Sequence, residues 1–385
     1  MKVGLCCCYS NHNYGSMLQS LANVQAVRQL GHKCEIVRYV KRHSLAQKLR
    51  QSPRIFNSGN VVKLKNLARD RFLSQSHPEI TRQRRIRDEK FDTYCRNTFT
   101  EVSDAYVGWD SLRAGSVRYD AVMVGSDQLW LPAGLPTNFY NLQFAAPGVR
   151  RISYATSFGV ASIPWYQRSR TADYLERIDY LSVREDAGAA ICHHVGGVKA
   201  RVVVDPTLLL TDEEWQGLIP VSSISRGPYI FCYFLGRNQL CRKEARLLSI
   251  ETGLPIVVLR HLDEIIPTDE SFGDKAPYDV DPAGFVNLIR NAEYVLTDSF
   301  HGTVFSTICH KRYATFYRFQ QKERQSRNSR IESLFSHLDL TGRLVTQEGQ
   351  ALRVLTSKVD FNAVDERLEA WRAGSWGFLR RALEQ

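Results

Sequence analysis

The sequence predicts an α/β protein built from two Rossmann-like domains that face each other, with a basic helical insertion in the first. Three observations lead there. Short apolar runs of strand length alternate with segments of helical periodicity, the rhythm of βα units on a parallel sheet. At 385 residues the chain is longer than one hydrophobic core usually serves. The formal net charge of +11 is also concentrated in one place: from Arg38 to Arg96 there are sixteen Lys and Arg against five Asp and Glu, which is the whole excess.

The elements follow in order. Val3 to Cys8 reads as a buried strand, Ser10 to Gly15 as a turn-rich loop, Ser16 to Leu30 as a helix stopped by Gly31, and Cys34 to Val40 as the next strand. Val61, Leu64, Ala68 and Phe72 recur at helical spacing with Lys63, Lys65, Arg69 and Arg71 on other faces, and Arg82 to Arg96 continues the helical pattern. The strands Tyr119–Gly125, Arg151–Thr156, Ile178–Arg184 and Arg201–Val204 resume the βα rhythm. From Thr211 to Gly227 the pattern loosens into acidic, Gly, Pro and Ser residues, which places a domain boundary there. A second series follows: strands at Tyr229–Phe234, Pro255–Leu259, Tyr294–Thr297 and Tyr313–Tyr317, with helices from Pro282 to Asn291, Thr303 to Cys309 and Ala363 to Leu383.

The predicted units are residues 1–215, carrying a basic arm over about 41–100, and residues 225–385, ending in a helix placed to cross back. Two such domains make a GT-B-like architecture, with ligands expected at strand C-terminal ends in the crevice between them. The opening Met1-Lys2-Val3-Gly4-Leu5 lacks the parts of a signal peptide, and no apolar stretch is long enough to span a bilayer, so a cytoplasmic protein is expected. Nine cysteines without a C-x-x-C pair read as reduced, mostly buried small hydrophobes. No G-x-G-x-x-G follows the first strand, which weakens a nicotinamide or flavin reading.

The most informative stretch is Tyr294-Val295-Leu296-Thr297-Asp298-Ser299-Phe300-His301-Gly302-Thr303-Val304-Phe305-Ser306. A strand ends, polar residues, a histidine and a glycine fill a turn, and a helix begins. That junction aims backbone N–H groups and the positive helix end outward, ready for an anion. His301 there can protonate a substrate or donate to a phosphate. The same position also suits a histidine packed in a turn, and the local pattern leaves both open.

The run Thr297 to Ser306, together with Gly125-Ser126-Asp127-Gln128-Leu129-Trp130, resembles the polysaccharide pyruvyl transferase family. So do Asn13-Tyr14-Gly15-Ser16-Met17-Leu18-Gln19, Ser182-Val183-Arg184-Glu185, Val204-Asp205-Pro206-Thr207 and Asn328-Ser329-Arg330-Ile331, all in order along nearly the whole chain. The resemblance implies phosphoenolpyruvate as donor substrate, a saccharide acceptor, a pyruvate ketal as product, and no separate cofactor or metal.

His301 matches the family's catalytic histidine. Some members have arginine two residues earlier, where this chain has Ser299, so a cation must come from elsewhere: Arg184 first, Lys322 second. Ser299, Gly302 and Thr303 around the helix start, with Asn13, Gly15 and Ser126 from the first domain, complete the expected substrate contacts. Asp127 either accepts a proton from an acceptor hydroxyl or caps the chain after its strand. Arg184 either grips the donor or pairs with Glu185 or Asp186. Arg330 either holds the acceptor or lines the wall.

A sugar-nucleotide glycosyltransferase and a non-catalytic saccharide-binding relative are the competing readings. Asp279-Val280-Asp281 resembles a metal-binding D-x-D, but Asp281 before Pro282 reads better as a helix cap. His193-His194 reads as an exposed turn. The basic arm is read as partly packed and also as a contact for anionic membrane, bringing the protein to the inner face of the cytoplasmic membrane and a lipid-linked acceptor. Nucleic acid is not expected, since no binding motif and little aromatic interleaving accompany the charge.

Overall fold

The computed structural model describes residues 1–42, 77–132, 138–223, 227–264, 266–319 and 328–385. In chain order, β1 (Lys2–Cys6), α1 (Tyr14–Gln29) and β2 (Lys33–Ile36) form the opening unit, and β3 (Tyr39–Val40) follows. Then come α2 (Pro78–Thr98), β4 (Tyr106–Val107), α3 (Trp109–Gly115), β5 (Ala121–Val124), β6 (Arg150–Thr156), α4 (Arg168–Leu175) and β7 (Tyr180–Val183). The strand β8 (Arg201–Val202) is preceded by α5 (Asp186–Gly196) and followed by α6 (Pro206–Leu209) and α7 (Asp212–Leu218). The second half runs β9 (Ile230–Tyr233), α8 (Gln239–Thr252), β10 (Ile256–Val258), α9 (Pro282–Asn291), β11 (Tyr294–Thr297), α10 (Phe300–Ile308) and β12 (Arg312–Phe316). It closes with α11 (Ser329–Leu338), β13 (Leu344–Val345), α12 (Ala351–Thr356) and α13 (Phe361–Glu384).

Two parallel sheets result. The first has six strands in the order β2-β1-β5-β6-β7-β8, and the second five in the order β10-β9-β11-β12-β13. Their central strands are buried on both faces, which is why Ala121-Val122-Met123-Val124 and Ile230-Phe231-Cys232-Tyr233 are apolar without alternation. In each sheet the winding reverses at one pair, β1/β5 in the first and β9/β11 in the second. Crevices open at such switch points, outside the strand C-termini.

One apolar core spans both halves, from Val3 and Leu5 through α1 to Phe231 and Val295. Helix α1 packs on α6, α9 and α10, and Tyr14 stacks on Phe285 at 4.9 Å. Buried on nearly every side, α1 bonds polar side chains to its own backbone: Gln19 Nε2 donates to the Ser16 carbonyl at 2.9 Å and Ser20 Oγ to the same oxygen at 2.7 Å, while Asn23 Oδ1 has no partner. The terminal helix α13 returns to the first sheet, where Ser375 Oγ accepts the Val204 N–H at 3.1 Å and the Ala382 carbonyl accepts from Arg150 at 2.8 Å. The arrangement is α/β with two Rossmann-like halves, GT-B-like.

Several local expectations need correction. The strand expected at Cys34–Val40 breaks after Ile36, and Tyr39–Val40 pairs with Tyr106–Val107 in a separate ribbon. The loosened stretch after Thr211 contains a helix, α7, fixed by a capping box between Thr211 and Glu214 and by buried Trp215. His193 and His194 lie in the last turn of α5 rather than in a turn of their own. The helix expected at Arg82–Arg96 is α2, longer at both ends, whereas the helix expected over residues 61–72 lies outside the described residues. Asp281 caps α9, accepting the Gly284 N–H at 2.7 Å. All nine cysteines are free, and Cys8, Cys95 and Cys309 are only half-buried. Among the described residues no helix is long and apolar enough to cross a membrane.

Candidate active site

The second sheet supplies the histidine. Its helix α10 begins at Phe300, not at Thr303, so His301 sits in the first helical turn with its direction set by helix geometry. Ser299 is the N-cap, its hydroxyl accepting the Gly302 N–H at 3.3 Å, and Thr303 Oγ donates to the Ser299 carbonyl at 3.0 Å. The amides of Phe300 and His301 precede any intrahelical acceptor. The His301 ring lies against Gly15 in the first turn of α1: a Cβ there would come within 2.0 Å of Nδ1. Its Nε2 stands 3.7 Å from Asp205 Oδ1, an ion-pair distance too long for a hydrogen bond, and has no hydrogen-bond partner.

The first sheet supplies that carboxylate and an arginine. Asp205 caps α6: its Oδ1 accepts from Thr207 N at 3.0 Å and Thr207 Oγ at 2.6 Å. Its Oδ2 accepts from Ser126 Oγ at 2.8 Å and Arg184 Nη1 at 2.7 Å. Burial alone would raise this carboxyl, but His301 first, then Arg184 and Thr207, overcome it and hold Asp205 well below the usual carboxylate range. Arg184, one residue beyond β7, is buried; its Nε and Nη2 have no hydrogen-bond partner, and Nε lies 3.8 Å from Glu185 Oε2.

The guanidinium carbon of Arg184 is 4.4 Å from the centre of the Phe300 ring, and that of Arg330 is 5.6 Å from the same ring. Desolvation, then the charge of Arg184, push Arg330 down to about 9. Glu185 divides its oxygens: Oε2 faces Arg184, and Oε1 accepts from Ser157 Oγ at 2.8 Å and Phe158 N at 3.1 Å.

Asp127 lies at the first switch point. It accepts from Ser16 Oγ at 2.6 Å and from Gln128 N at 2.7 Å, and its backbone stands at φ +91, left-handed space that few side chains occupy. Asn13 caps α1, accepting the Ser16 N–H at 3.0 Å.

Of the residues picked from the sequence, His301, Gly15, Ser126, Arg184 and Arg330 converge on one place, and Asp127 joins them from the adjacent turn. Asn13, Ser299, Gly302 and Thr303 have polar groups engaged in helix caps. Lys322 lies outside the described residues. Three charged residues were not picked. Asp205 was quoted only within a motif; its partnership with Arg184 links two strand ends far apart in sequence. Arg318, just past β12, bears electrostatically on Asp298 and Arg330, and its place beyond a strand C-terminus was the signal available for it. Buried Asp298 accepts from Leu235 N at 2.6 Å and Gly236 N at 2.8 Å; burial raises its carboxyl against the pull of Arg318 and these two amides.

The fold and this cleft define a two-domain α/β protein whose buried arginine and histidine side chains meet between two parallel sheets. The polysaccharide pyruvyl transferase family model matches residues 13–317, and the chain belongs to that family. No curated protein matches the chain. Among solved structures it is similar to a UDP-N-acetylglucosamine 2-epimerase from Rickettsia bellii, at 11% identity and TM-score 0.48, over 99% of this chain and 98% of that one. It is also similar to a glycosyltransferase from Streptomyces sp. SF2575, at 13% identity and TM-score 0.41, over the full length of both.

Proposed function

We propose that this protein moves the enolpyruvyl group of phosphoenolpyruvate onto a saccharide as a pyruvate ketal, releasing phosphate. One observation carries the reading: next to the start of α10, Arg184 and His301 flank the Asp205 carboxylate, and Arg184 Nε and Nη2 and His301 Nε2 are buried without a hydrogen-bond partner. Unpaired buried donors are costly, and a carboxylate–phosphate ligand would satisfy them.

The chemistry assigns the roles. His301 delivers a proton to the methylene carbon of the donor, making its C2 oxocarbenium-like. One acceptor hydroxyl adds to C2 as Asp127 takes its proton; the C2–O bond to phosphate then breaks, and a second hydroxyl adds at C2 to close the ketal, its proton going to the departing phosphate while the proton on Asp127 returns through solvent to His301. Arg184 grips the donor, with Arg330 beside it. Asp205, 3.7 Å from the Nε2 of His301, orients that ring. His301 and Arg330 of the second domain and Arg184 of the first then hold the donor, and Asp127 makes the first domain the acceptor side. The charge excess of Arg38–Arg96 suits work at the cytoplasmic face of a membrane on a lipid-linked acceptor.

The test is direct. Phosphoenolpyruvate should raise the unfolding temperature by binding the native state, and common sugar nucleotides should not. With a saccharide panel, phosphate release should coincide with an acceptor whose mass grows by one ketal-linked pyruvate. A shift with a sugar nucleotide and none with phosphoenolpyruvate would overturn the assignment in favour of glycosyl transfer.

A further inference from the structure

The first domain has a cavity of about 510 Å³ whose lining includes none of His301, Arg184 and Asp205. It begins where the Gly125–Gln128 turn ends, with Leu129 and Trp130 in its wall, and is bounded on the other side by Ile163, Gln167 and α4. Tyr140 links it to the crevice: this residue lines the cavity, and its hydroxyl meets Cys8 Sγ at 3.4 Å, just past the end of β1 at the switch point.

The lining has two kinds of chemistry. Trp130, Tyr140 and Tyr174 bring broad aromatic side chains, while Asn141, Gln143 and Gln167 bring amides fixed in place by bonds to Asn138, the Asn141 carbonyl, Arg177 and the Pro132 carbonyl, each with a second N–H and a second lone pair left to donate and accept. A sugar ring has the same two characters, apolar C–H faces and a rim of hydroxyls that donate and accept. The charged groups are of mixed sign, Arg170 and Arg177 with Asp173, so the lining is not the cationic cluster that a phosphate or nucleotide needs.

At the edge, the 3₁₀ turn Trp165–Gln167 carries Gln167 into the cavity and leaves Trp165 81% exposed and Tyr166 51% exposed, ring centres 5.9 Å apart. Neither ring lines the cavity itself; the pair stands between two residues that do, Ile163 and Gln167, and offers exposed aromatic surface beside it. The volume is within the roughly 300–1,000 Å³ that small-ligand sites occupy.

We infer that this cavity, with Trp165 and Tyr166 at its rim, is a saccharide-binding groove that holds the acceptor chain beyond the sugar being modified. That the bound saccharide is the acceptor rests on the pyruvyl-transfer reading. That the groove binds saccharide does not. The preferred acceptor is then an oligosaccharide rather than a single sugar.

The test is a glycan array probed with the whole protein in the absence of phosphoenolpyruvate, followed by titration of the retained glycans. Wild type should retain a defined set of oligosaccharides. Gln143→Ala and Trp165→Ala should each weaken that binding about tenfold with unfolding unchanged, as expected for losing one hydrogen bond or one stacking face. His301→Asn should bind like wild type. Retention of no glycan overturns the inference, and so does retention that survives both groove substitutions. Binding to phosphatidylcholine–phosphatidylglycerol vesicles that Trp165→Ala abolishes, with no glycan retained, makes the rim a membrane contact instead. Glycan binding without any phosphoenolpyruvate turnover would leave the groove standing and remove the transfer reading; turnover without glycan binding would do the reverse.

Discussion

The two sheets reverse their winding in the same way, and each places an aspartate beyond its third-position strand: Asp127 after β5 and Asp298 after β11. The two are used differently. Asp298 is buried and spends its oxygens on the amides of Leu235 and Gly236 at the end of the neighbouring strand, stapling the second switch point shut. Asp127 is half-exposed, holds only the Ser16 hydroxyl and its own neighbour's amide, and sits on a strained backbone. Strain of that kind costs about 1–3 kcal/mol and persists where its surroundings impose it. Here Ser157 N and Leu129 N both donate to the Asp127 carbonyl, at 3.0 and 2.8 Å. One topology thus yields a rigid floor in the second domain and an available carboxylate in the first.

The largest effects should separate chemistry from scaffold. His301→Asn and Asp127→Asn are each expected to lower turnover on the order of a hundred- to ten-thousand-fold, with denaturant midpoints close to wild type. Asp298→Ala should do the opposite. It strands two buried amides at about 1–3 kcal/mol each, so an unfolding free energy lower by about 4 kcal/mol is expected from denaturant titration. If Asp127 variants lost stability and Asp298 variants did not, the contrast between the two switch points would be inverted.

Asp205 joins the two regions, and its prediction concerns pH. Its carboxyl is depressed in the folded state, so its contribution is fully present above the unfolded value near 3.9 and disappears as pH falls through the folded one. Asp205→Asn removes the closer of the two ion partners of buried Arg184 and leaves Glu185 at 3.8 Å, for a cost of about 3 kcal/mol at neutral pH. It should also flatten the loss of stability that wild type shows below about pH 4. Equal acid slopes in the two proteins would mean that Asp205 is not the group responsible.

Much of this was legible in the sequence, for physical reasons that can be named. Strands buried on both faces must be apolar throughout, so β1, β5, β9 and β11 announced themselves. The start of α10 did not, because Ser299-Phe300-His301-Gly302 contains a cap and a glycine that read equally well as a turn; burial of Phe300 against Arg184 decides for helix. Helix α7 was missed although Thr211-Asp212-Glu213-Glu214 carries a capping box, since acidic composition drew attention first. The closeness of α1 to α10 is a tertiary fact that no local pattern encodes. The same holds for the basic arm: Arg87 in α2 is buried and pairs with Asp263 of the second half at 2.6 Å, so part of the charge is structural.

The smallest expected effect probes the contact where the two domains touch. A methyl group on Gly15 would fall 2.0 Å from Nδ1 and 2.5 Å from Cγ of His301, and the ring is too stiff to yield by bending. It must rotate or move with α10. Gly15 lies in helix α1, where alanine is intrinsically favoured by about 1 kcal/mol, so the fold has some compensation for the crowding. Gly15→Ala is therefore expected to leave denaturant stability within about 1 kcal/mol of wild type. It should still lower turnover about ten- to a hundredfold, the order that an ångström of misplacement costs. The loss cannot exceed that of His301→Asn if it acts through the ring alone. In the double variant the Gly15 substitution should then add almost nothing, because the group it displaces is already absent. Additive losses would show that Gly15 matters for another reason, such as close approach of the substrate to α1, and would separate His301 from the first domain.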